Sequence, residues 1–498
     1  MANLNSIVRQ VMALDPDAPA LEYRKQWHTW GELSAIVRAI EGILAANGIG
    51  SGTRIGGILR NTPQIAAAII AIITSERCVV TLNPALPDDK LVNDIVALKT
   101  PVVIAESQDW QRQTVYDAVK ASGALGIEIT GDTANPARVI LEMTSSDFRR
   151  DAEGVGIEML TSGTTGAPKR VPLKARNFAR MVLEAAVFEN RDVNAPPRLS
   201  NAVTISNTPF SHIGGIFGLF VTLSAGRKAC MLDRFRVEEF VDAVQRHKPK
   251  VAGAPPSALR MILDAGVPRE ALASLVAFRT STAPLDPDLA DQFYEHFGIP
   301  VLQNYGATEF AGGVAGWTLK DFRKSGKDRR GSVGKMNPGI EGRIVNPETG
   351  EPLPYGEKGL LELRASHLGD GKSWVRTTDL AKLDEELFLW ILGRADNAII
   401  RGGFKIIPDD VVKAIESHPA VLEACVVALP DPRLGQVPAA GYRVKSGQSV
   451  GEDELRAFLR ERLTAYQVPT KLLRLADFPR TPSMKPSQPE LKKLLEAA

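Results

Sequence analysis

Residues 54–82 read RIGGILRNTPQIAAAIIAIITSERCVVTL, and this stretch contains a strand, a helix and a second strand in succession. The apolar run Ile55–Leu59 predicts a short strand. Asn61-Thr62-Pro63 then starts a helix that continues through the buried alanine and isoleucine cluster, Ile65–Ile73. Cys78–Leu82 is a second apolar run, closed by a turn signal. Strands that alternate with helices in this way favour a mostly parallel sheet with helices packed on its faces.

The same α/β texture extends over most of the chain and then changes twice. Helical spacing returns at Phe178–Ala185, and strand-like runs occur at 251–253 and 301–303. From Gly331 to Leu363 the segments are short and broken by Gly, Pro and Asn, which indicates a small β-rich section. The residues after Gly393 predict a separate set of elements, namely a helix at 409–418, a strand at 421–428 and a helix at 452–463.

We therefore expect an α/β protein of two domains. The large N-terminal domain, 1–393, would hold parallel-type α/β sheets plus the β-rich section. A small α+β C-terminal domain, 394–498, would follow it.

Charge and composition exclude several classes of protein. The chain has 60 Lys and Arg against 58 Asp and Glu, a net charge of +2, so no nucleic-acid partner is expected. The longest apolar run, 65–73, is less than half of a membrane span of about 20 residues, so no membrane span is expected. Cys78, Cys230 and Cys425 are far apart, which supports neither a disulfide framework nor a zinc site. Because the start of the chain has no leader pattern, a reducing, cytoplasmic location is expected.

A loop rich in glycine and hydroxyl groups follows the predicted strand Gly156–Leu160. Its sequence, Thr161-Ser-Gly-Thr-Thr-Gly-Ala-Pro-Lys169, offers backbone N–H groups, hydroxyls and one cation to a polyanion. It is not the Walker pattern, because Ala167-Pro168 stand before the lysine. Composition alone fits a phosphate-binding loop and a plain Ser/Thr/Gly turn equally well.

Five motifs that occur in one order along the chain separate these alternatives. They are Thr161–Lys169, Asn304–Glu309, Arg376–Asp379, Gly393–Asp396 and Pro482–Lys485. In sequence and order they resemble the signature motifs of the adenylate-forming superfamily, which includes acyl-CoA synthetases, adenylation domains and luciferases. The resemblance covers nearly the whole chain and is strongest to the acyl- and aryl-CoA synthetases.

The resemblance implies a nucleotide site. The phosphate loop would contribute Thr161, Ser162, Gly163, Thr164, Thr165 and Lys169. Asn304 and Tyr305 would hold the adenine, which can stack on the tyrosine ring. Asp379 and Arg394 would surround the ribose and phosphate. Taken alone, Tyr305 also fits a core aromatic and Asp379 a helix cap.

The resemblance also implies the catalytic groups. Lys485 would bridge the substrate carboxylate and the α-phosphate, where two anions meet and charge must be neutralised. Thr308 would donate its hydroxyl to a phosphate, and Glu309 would bind Mg²⁺ as a hard oxygen ligand. His212, within Pro209–Gly215, would face the carboxylate entrance. A lone histidine or lysine is otherwise a core or surface residue.

Further residues are implied for the acyl group, for CoA and for the hinge. Ser281, Thr282 and Ala283 stand where relatives often have small glycines and would narrow the acyl pocket. Gly402 and Gly403 would let the pantetheine arm approach the backbone, and the mobile C-terminal domain would turn about Asp396 within the hinge 394–396. Three positions depart from the family pattern: Met484 before the lysine, and Arg170 and Asn397 after the loop and the hinge.

The implied activity is that of an ATP- and Mg²⁺-dependent acid–thiol ligase with CoA as co-substrate. Two alternatives stay open, namely an adenylating enzyme that loads a carrier-protein thiol and a non-catalytic nucleotide-binding relative. Because 207–223 contains no acid and only His212 as a basic residue, the expected substrate is a small monocarboxylic acid with an uncharged aromatic or short-to-medium tail. The sequence leaves a monomer and a homodimer equally open.

Overall fold

The strand–helix–strand unit expected at 54–82 is present in the computed structural model. The model describes residues 3–161, 169–189, 191–281, 283–307, 310, 312–395, 397–401, 404–481 and 485–498, and only the backbone at 161, 169, 187, 188 and 405. Strand β3 covers Arg54–Ile58, helix α3 Pro63–Thr74 and strand β4 Cys78–Leu82. The Thr62 side chain caps α3 by accepting a hydrogen bond from the backbone N of Ile65. Every residue of Ile65–Ile73 is buried, so the prediction of a buried helix is confirmed.

The remaining helices lie between and after the strands. They are α1 (Leu4–Ala13), α2 (Trp30–Ala46), α4 (Asp88–Leu98), α5 (Ser107–Trp110), α6 (Gln113–Ser122), α7 (Ala175–Phe188), α8 (Ile213–Ser224), α9 (Val237–His247), α10 (Pro256–Asp264), α11 (Pro287–Phe297), α12 (Leu319–Ser325), α13 (Pro408–Glu416), α14 (Glu452–Arg460) and α15 (Gln488–Ala497). A short 3₁₀ turn covers Arg269–Leu272.

The other strands are between three and eleven residues long. They are β1 (Pro19–Tyr23), β2 (Gln26–Thr29), β5 (Val102–Glu106), β6 (Leu125–Ile129), β7 (Ala137–Leu141), β8 (Val155–Thr161), β9 (Lys169–Lys174), β10 (Val203–Ser206), β11 (Lys228–Met231), β12 (Val251–Gly253), β13 (Ala277–Thr280), β14 (Val301–Ala307), β15 (Gly312–Gly316), β16 (Gly334–Met336), β17 (Glu341–Val345), β18 (Lys358–Arg364), β19 (Val375–Leu383), β20 (Phe388–Arg394), β21 (Ile399–Arg401), β22 (Phe404–Ile406), β23 (Val421–Asp431), β24 (Gly435–Val444) and β25 (Lys471–Arg474).

Backbone contacts divide the chain into two units. The first comprises 1–161, 168–313 and 318–324, and the second comprises 162–167, 314–317 and 325–498. The second unit therefore contains the β-rich section as well as the segment after Gly393. The predicted boundary at 393/394, which refers to motion about a hinge, stays a prediction.

The first unit is built on mostly parallel sheets. Its largest sheet has the order β7-β6-β5-β3-β4-β8-β9, in which only the edge strands β7 and β9 are antiparallel to their neighbours. Strands β12, β13 and β14 form a second parallel run, and β10, β11 and β1 a third. The central strands are buried on both faces, as βαβ connections require. The predicted parallel α/β class is confirmed for this unit.

The second unit is antiparallel. Strands β16, β20, β19, β18 and β17 follow one another in that order, and Ala315 and Gly316 pair with Met336 and Lys335 of β16. After Gly393, β23 and β24 form a long antiparallel pair, flanked by β21 and β25 and packed against α13 and α15. The predicted β-rich section and small α+β segment are both present.

The cysteines are three free thiols. Cys78, Cys230 and Cys425 are all buried, and burial raises the pKa of each thiol to about 12. In the part of the chain that the structure describes, no helix has both the length and the apolar character that crossing a membrane requires.

A buried ion cluster joins β8, the strand that leads to the phosphate loop, to the rest of its sheet. Glu158 is 1% exposed, and its carboxylate accepts hydrogen bonds from Arg54 Nε at 2.9 Å and from both terminal nitrogens of Arg149 at 2.8 and 2.9 Å. Burial alone would raise the pKa of Glu158, but these guanidinium hydrogen bonds lower it. The folded state therefore favours the charged carboxylate.

We predict that Glu158→Gln lowers the free energy of unfolding by about 3 kcal/mol at neutral pH, because Arg54 is left buried without its anion. The loss should appear as a lower urea midpoint. Because the folded pKa of Glu158 is depressed, the wild-type advantage is complete above the unfolded pKa of about 4.3 and shrinks as the pH falls. Glu153→Gln, an exposed change in the preceding turn, is the matched control. Equal midpoints for the two variants would contradict the role of the cluster.

Candidate active site

The predicted acyl-pocket segment, 207–212, is held from two sides by buried asparagines. Asn61 Nδ2 donates to Thr208 O at 3.1 Å, and its Oδ1 accepts from the backbone N of Phe210 at 2.9 Å. Asn207 Nδ2 donates to Gly253 O, at the end of β12, at 2.8 Å. Asn61 was predicted only as part of a helix start, and its contact with a segment 147 residues away gives no local sequence signal. Both asparagines position the segment rather than face a substrate.

His212 lies at the turn that starts α8. Its backbone N donates to Pro209 O at 2.9 Å, and its carbonyl accepts from Gly215 N at 3.0 Å. A Cβ on Gly215 would lie 2.3 Å from Pro209 O, so only glycine fits where the helix passes this carbonyl. The His212 side chain is half-buried and belongs to the first unit, together with Ser281, Ala283, Asn304 and Tyr305.

Helix α8 presents two faces. Ile216, Leu219 and Phe220 are buried in the main core of the first unit, as is Phe210 before the helix. The residues on the other face, Ile213 and its neighbours at helical spacing, are only partly buried: Ile213, Gly214, Phe217 and Val221. Ile213, Phe217 and Val221 pack at the margin of the same core.

Ser281, Asn304 and Tyr305 follow the last parallel pair between β13 and β14, and Asn304 and Tyr305 still lie within β14. Thr280 of β13 pairs with Gln303 of β14, so that Ser281 and Asn304 follow at one sheet edge. Ligands of parallel α/β sheets bind at this edge. Tyr305 is half-buried, with its ring 6.2 Å from that of Phe310. A Cβ on Gly306 would lie 2.2 Å from Gly312 O, which gives this motif glycine a packing reason.

In the second unit, Asp379 and Arg394 lie opposite each other on β19 and β20. Arg394 Nη2 and Nε donate to Thr378 Oγ1 at 2.6 and 3.1 Å, and Nε lies 3.9 Å from Asp379 Oδ1. The Asp379 backbone N donates to Thr377 Oγ1 at 3.0 Å. The pair predicted to surround the ribose is therefore assembled by strand register.

The sequence interpretation missed Asp409, in the first turn of α13. Burial raises the pKa of Asp409, and Asp379 and Arg394 are among the charges that act on it. A Cβ on Gly393, which has a φ of +142°, would lie 2.8 Å from Asp409 Oδ2. Gly393, at the start of the predicted hinge, thus leaves room for the Asp409 carboxyl group. The available signal in the sequence was the glycine that precedes the motif residue Arg394.

Lys485 lies at the end of a narrow loop. Arg480 and Pro486 form an antiparallel bridge, and Thr481 N donates to Lys485 O at 2.8 Å. Arg480 holds the base of the loop through two hydrogen bonds to Glu423, at 3.0 and 2.7 Å. Loss of hydration lowers the pKa of Lys485, and the cation of Arg394 lowers it further. Thus Lys485, Arg394, Asp379 and Asp409 form one electrostatic group within the second unit.

Several predicted site residues lie outside the described residues or have only their backbone described. The former are Ser162, Gly163, Thr164, Thr165, Thr282, Thr308, Glu309, Asp396, Gly402 and Gly403. The latter are Thr161 and Lys169, which pair with each other across β8 and β9. The assignments of these residues stay predictions.

Arg170, one of the departures from the family pattern, anchors the strand after the phosphate loop. Its Nη1 donates to Thr81 O, in β4, at 3.1 Å, and its Nη2 lies 3.5 Å from Asp94 Oδ2, in α4. Burial lowers the pKa of this guanidinium, and Asp94 partly offsets that effect. Where the family pattern has glycine, Arg170 thus connects β9 to β4 and α4.

The fold brings together one set of metal-ligating side chains that sequence spacing did not predict. Glu22, Cys230 and His247 have ligand atoms within 4.8 Å of one another. However, Arg246 Nη1 lies 2.6 Å from Glu22 Oε1, and His247 Nε2 lies 2.7 Å from Oε2. Because the guanidinium already supplies the cation and Cys230 is held protonated, this set is an internal ion-pair cluster.

Comparison with known proteins defines the class. Residues 8–371 match the family described as AMP-binding enzyme, and residues 411–485 match the AMP-binding enzyme C-terminal domain. The chain belongs to this family, which confirms the resemblance inferred from the motifs.

Individual relatives are CoA ligases of similar length. The chain is 26% identical to a probable CoA ligase of Humulus lupulus, over 94% of this chain and 88% of that protein. It is 25% identical to a 4-coumarate–CoA ligase of Oryza sativa subsp. japonica, again over 94% and 88%. Among solved structures, o-succinylbenzoate CoA synthetase of Bacillus subtilis with its acyl-adenylate intermediate matches with a TM-score of 0.77, 25% identity and coverage of 98% and 97%. ATP-bound MatB of Rhodopseudomonas palustris matches in fold, with a TM-score of 0.81, 24% identity and coverage of 99% of both chains.

We predict that Gly215→Ala destabilises the first unit by about 1–3 kcal/mol, because the added methyl group would force Pro209 O and the start of α8 apart. The urea midpoint measures this loss.

Gly218→Ala in the same helix is the matched control. A Cβ there meets nothing within 4 Å, so this change should stabilise the helix by about 0.5–1 kcal/mol through helix propensity. The prediction is wrong if both variants shift the midpoint in the same direction.

Proposed function

We propose that the side chains grouped in the second unit carry the adenylation chemistry of an AMP-forming acyl-CoA synthetase. The ligase activity rests on family membership and on CoA-ligase relatives that match 94% of the chain. The protein activates a carboxylic acid with ATP as acyl-AMP and transfers the acyl group to CoA, giving acyl-CoA, AMP and pyrophosphate. The strand register that sets Asp379 opposite Arg394, together with the charge of Arg394 acting on Lys485, supports the residue roles.

Lys485 supplies the cation of the first half-reaction. A carboxylate oxygen attacks the α-phosphate, and pyrophosphate leaves as the anhydride bond forms. Two anions meet in this step. A cation that interacts more strongly with the transition state than with the bound substrates therefore lowers the barrier. Within the described residues no hydrogen bond or ion pair engages the Lys485 ammonium, so its charge is available to the reacting anions.

Asp379 and Arg394 hold the ribose side of the nucleotide. The Asp379 carboxylate suits two vicinal hydroxyls, and Arg394 is oriented by Thr378 at the same level of the sheet. Tyr305 offers its ring to the adenine. Thr308 and Glu309 are proposed for the phosphate and for Mg²⁺, which would neutralise phosphate charge when bound.

The second half-reaction needs a different set of residues at the acyl carbon. We assign the hinge to Asp396, with 1–393 and 394–498 as the moving parts, and the thiol approach to Gly402 and Gly403. The positive φ of +142° at Gly393, a conformation that favours glycine, supports a specialised backbone at the start of this proposed hinge.

A carrier-protein thiol as the acceptor is the closest alternative, and AMP release with free CoA as sole acceptor tests it. Carboxylate-dependent pyrophosphate exchange tests the non-catalytic alternative. A cytoplasmic location is supported by the three unpaired thiols.

The charged and apolar residues of the predicted acyl-pocket segment indicate the class of acid substrate. No carboxylate occurs between Asn207 and Leu223, so a substrate ammonium would be buried without a partner. Ile213 and Phe217, on the partly exposed face of α8, suit an apolar body. An uncharged tail, rather than a dicarboxylate, is expected along 207–223, because this segment holds no cation other than His212; Arg279 lies outside the segment.

We predict that Lys485→Ala lowers the rate of acyl-AMP formation by about 10²–10³-fold while thioester formation from supplied acyl-AMP persists. Single-turnover assays of each half-reaction measure the two rates. Lys493→Ala, an exposed lysine on α15, is the control. Acyl-AMP formation at the wild-type rate would remove Lys485 from the mechanism.

The charge on Lys485 also predicts a pH dependence. Because its pKa is lowered, the cationic form is lost as the pH rises through a value below that of ordinary lysine, and kcat/KM for adenylation should fall on that alkaline side. Residual activity in Lys485→Arg should lack this limb, since arginine stays charged. An identical alkaline limb in both proteins would refute the assignment.

The proposed substrate class is tested by AMP release over benzoates, cinnamates, C4–C16 fatty acids and amino acids. We expect turnover of acids without an ammonium and at least tenfold lower kcat/KM for amino acids of similar size, because the buried ammonium finds no carboxylate. A clear preference for an amino acid would be incompatible with the pocket described here.

A further inference from the structure

Arg279, which the sequence interpretation left unassigned, is an exposed arginine near the predicted acyl-pocket segment. Arg279 lies on β13, two residues before Ser281. Along this strand Phe278 and Thr280 point into the core formed with α9 and α11, so Ala277, Arg279 and Ser281 share the other face. Ala277 is 1% exposed, whereas Arg279 is exposed. This face of β13 is therefore buried at Ala277 and exposed at Arg279.

Strand register links Arg279 to the segment that carries His212. Gly253 of β12 pairs with Arg279, and the Gly253 carbonyl accepts the hydrogen bond from Asn207 Nδ2 at 2.8 Å. Gly253 has no side chain to cover the space beside Arg279. Arg279 precedes Ser281 by two residues, which places it about 7 Å from Ser281 along the strand, on the amino-terminal side.

The guanidinium of Arg279 has charged neighbours but no acceptor. Loss of hydration lowers its pKa; Glu189 opposes this effect and Arg227 adds to it. The Glu189 carboxylate is already occupied by Arg227, at 2.7 and 2.8 Å, and by Arg191 at 2.8 Å. Among the described residues no hydrogen bond or ion pair engages the Arg279 guanidinium, although the Arg279 carbonyl accepts from Ala254 N at 3.1 Å. Three arginines against one glutamate leave this corner with a positive excess.

We propose that Arg279 binds an oxygen atom at the distal end of the acid substrate, so that the preferred acids carry a hydrogen-bond acceptor or an oxyanion on the tail. The proposal rests on the ligase function and names the substrate class of that site. Arg279 shares a strand face with Ser281 of the predicted acyl pocket, so its guanidinium can donate hydrogen bonds to a distal oxygen of the acid. An arginine presents a fork of donors that suits carboxylate, carbonyl, ether and hydroxyl oxygens.

The test compares acids that differ only at the distal end, in CoA-dependent AMP release by the full-length enzyme. One set is 4-methylbenzoate, 4-methoxybenzoate and terephthalate, and the other is hexanoate, 5-oxohexanoate and adipate. The wild type should favour oxygen-bearing acids over the methyl isosteres at least tenfold in kcat/KM. Arg279→Met should reduce that ratio by about 10–100-fold, mainly through KM, and Arg279→Lys should restore part of it.

Arg260→Met, at an arginine of α10 that donates to Gln292, is the matched control and should keep the wild-type ratio. Comparing terephthalate with 4-methoxybenzoate, and adipate with 5-oxohexanoate, distinguishes an oxyanion from a neutral acceptor as the preferred distal group. A wild-type enzyme without oxygen preference, or a preference unchanged in Arg279→Met, overturns the proposal. Absence of AMP release with every acid would instead count against the ligase function, so the two failures are distinguishable.

Discussion

A parallel strand that is buried on both faces can offer functional side chains only at its ends. In the first unit β3, β4 and β5 are buried throughout, and their helices cover the sheet on either side. The predicted site residues of this unit therefore mostly follow the strands: the predicted phosphate loop comes after β8, the His212 turn after β10 and Ser281 after β13. The antiparallel second unit is not limited in this way, and it pairs Asp379 with Arg394 in mid-sheet.

Local sequence signals were sufficient for most of the fold. Cys78–Leu82 and Val251–Gly253 have the bounds that their apolar runs predict, because turn residues end each run. The helix expected at 452–463 stops at Arg460, although Leu463 still packs in the same core. A hydrophobic stripe therefore predicts which side chains are buried more reliably than it predicts where helical hydrogen bonding ends.

The candidate site shows the same contrast between features that local sequence predicts and features that depend on tertiary contacts. Motif residues such as Asp379 and Lys485 could be identified from the sequence because they belong to short strings with a known order. Arg279 and Asp409 could not, because their importance arises from partners far away in the chain: Gly253 and Asn207 for the first, Gly393 and Asp379 for the second. The Glu22, Cys230 and His247 cluster is a similar case, since spacing argued against any such set and tertiary packing created one.

The state of the three thiols has a consequence for an enzyme that makes acyl adenylates. Such mixed anhydrides are electrophiles that acylate any accessible thiolate, including those of the catalyst. Because burial keeps the thiols of Cys78, Cys230 and Cys425 protonated at neutral pH, the chain offers its own intermediate no competing nucleophile of this kind. Burial of the three cysteines thus protects the enzyme from self-acylation, and none of their thiols competes with the thiol of CoA.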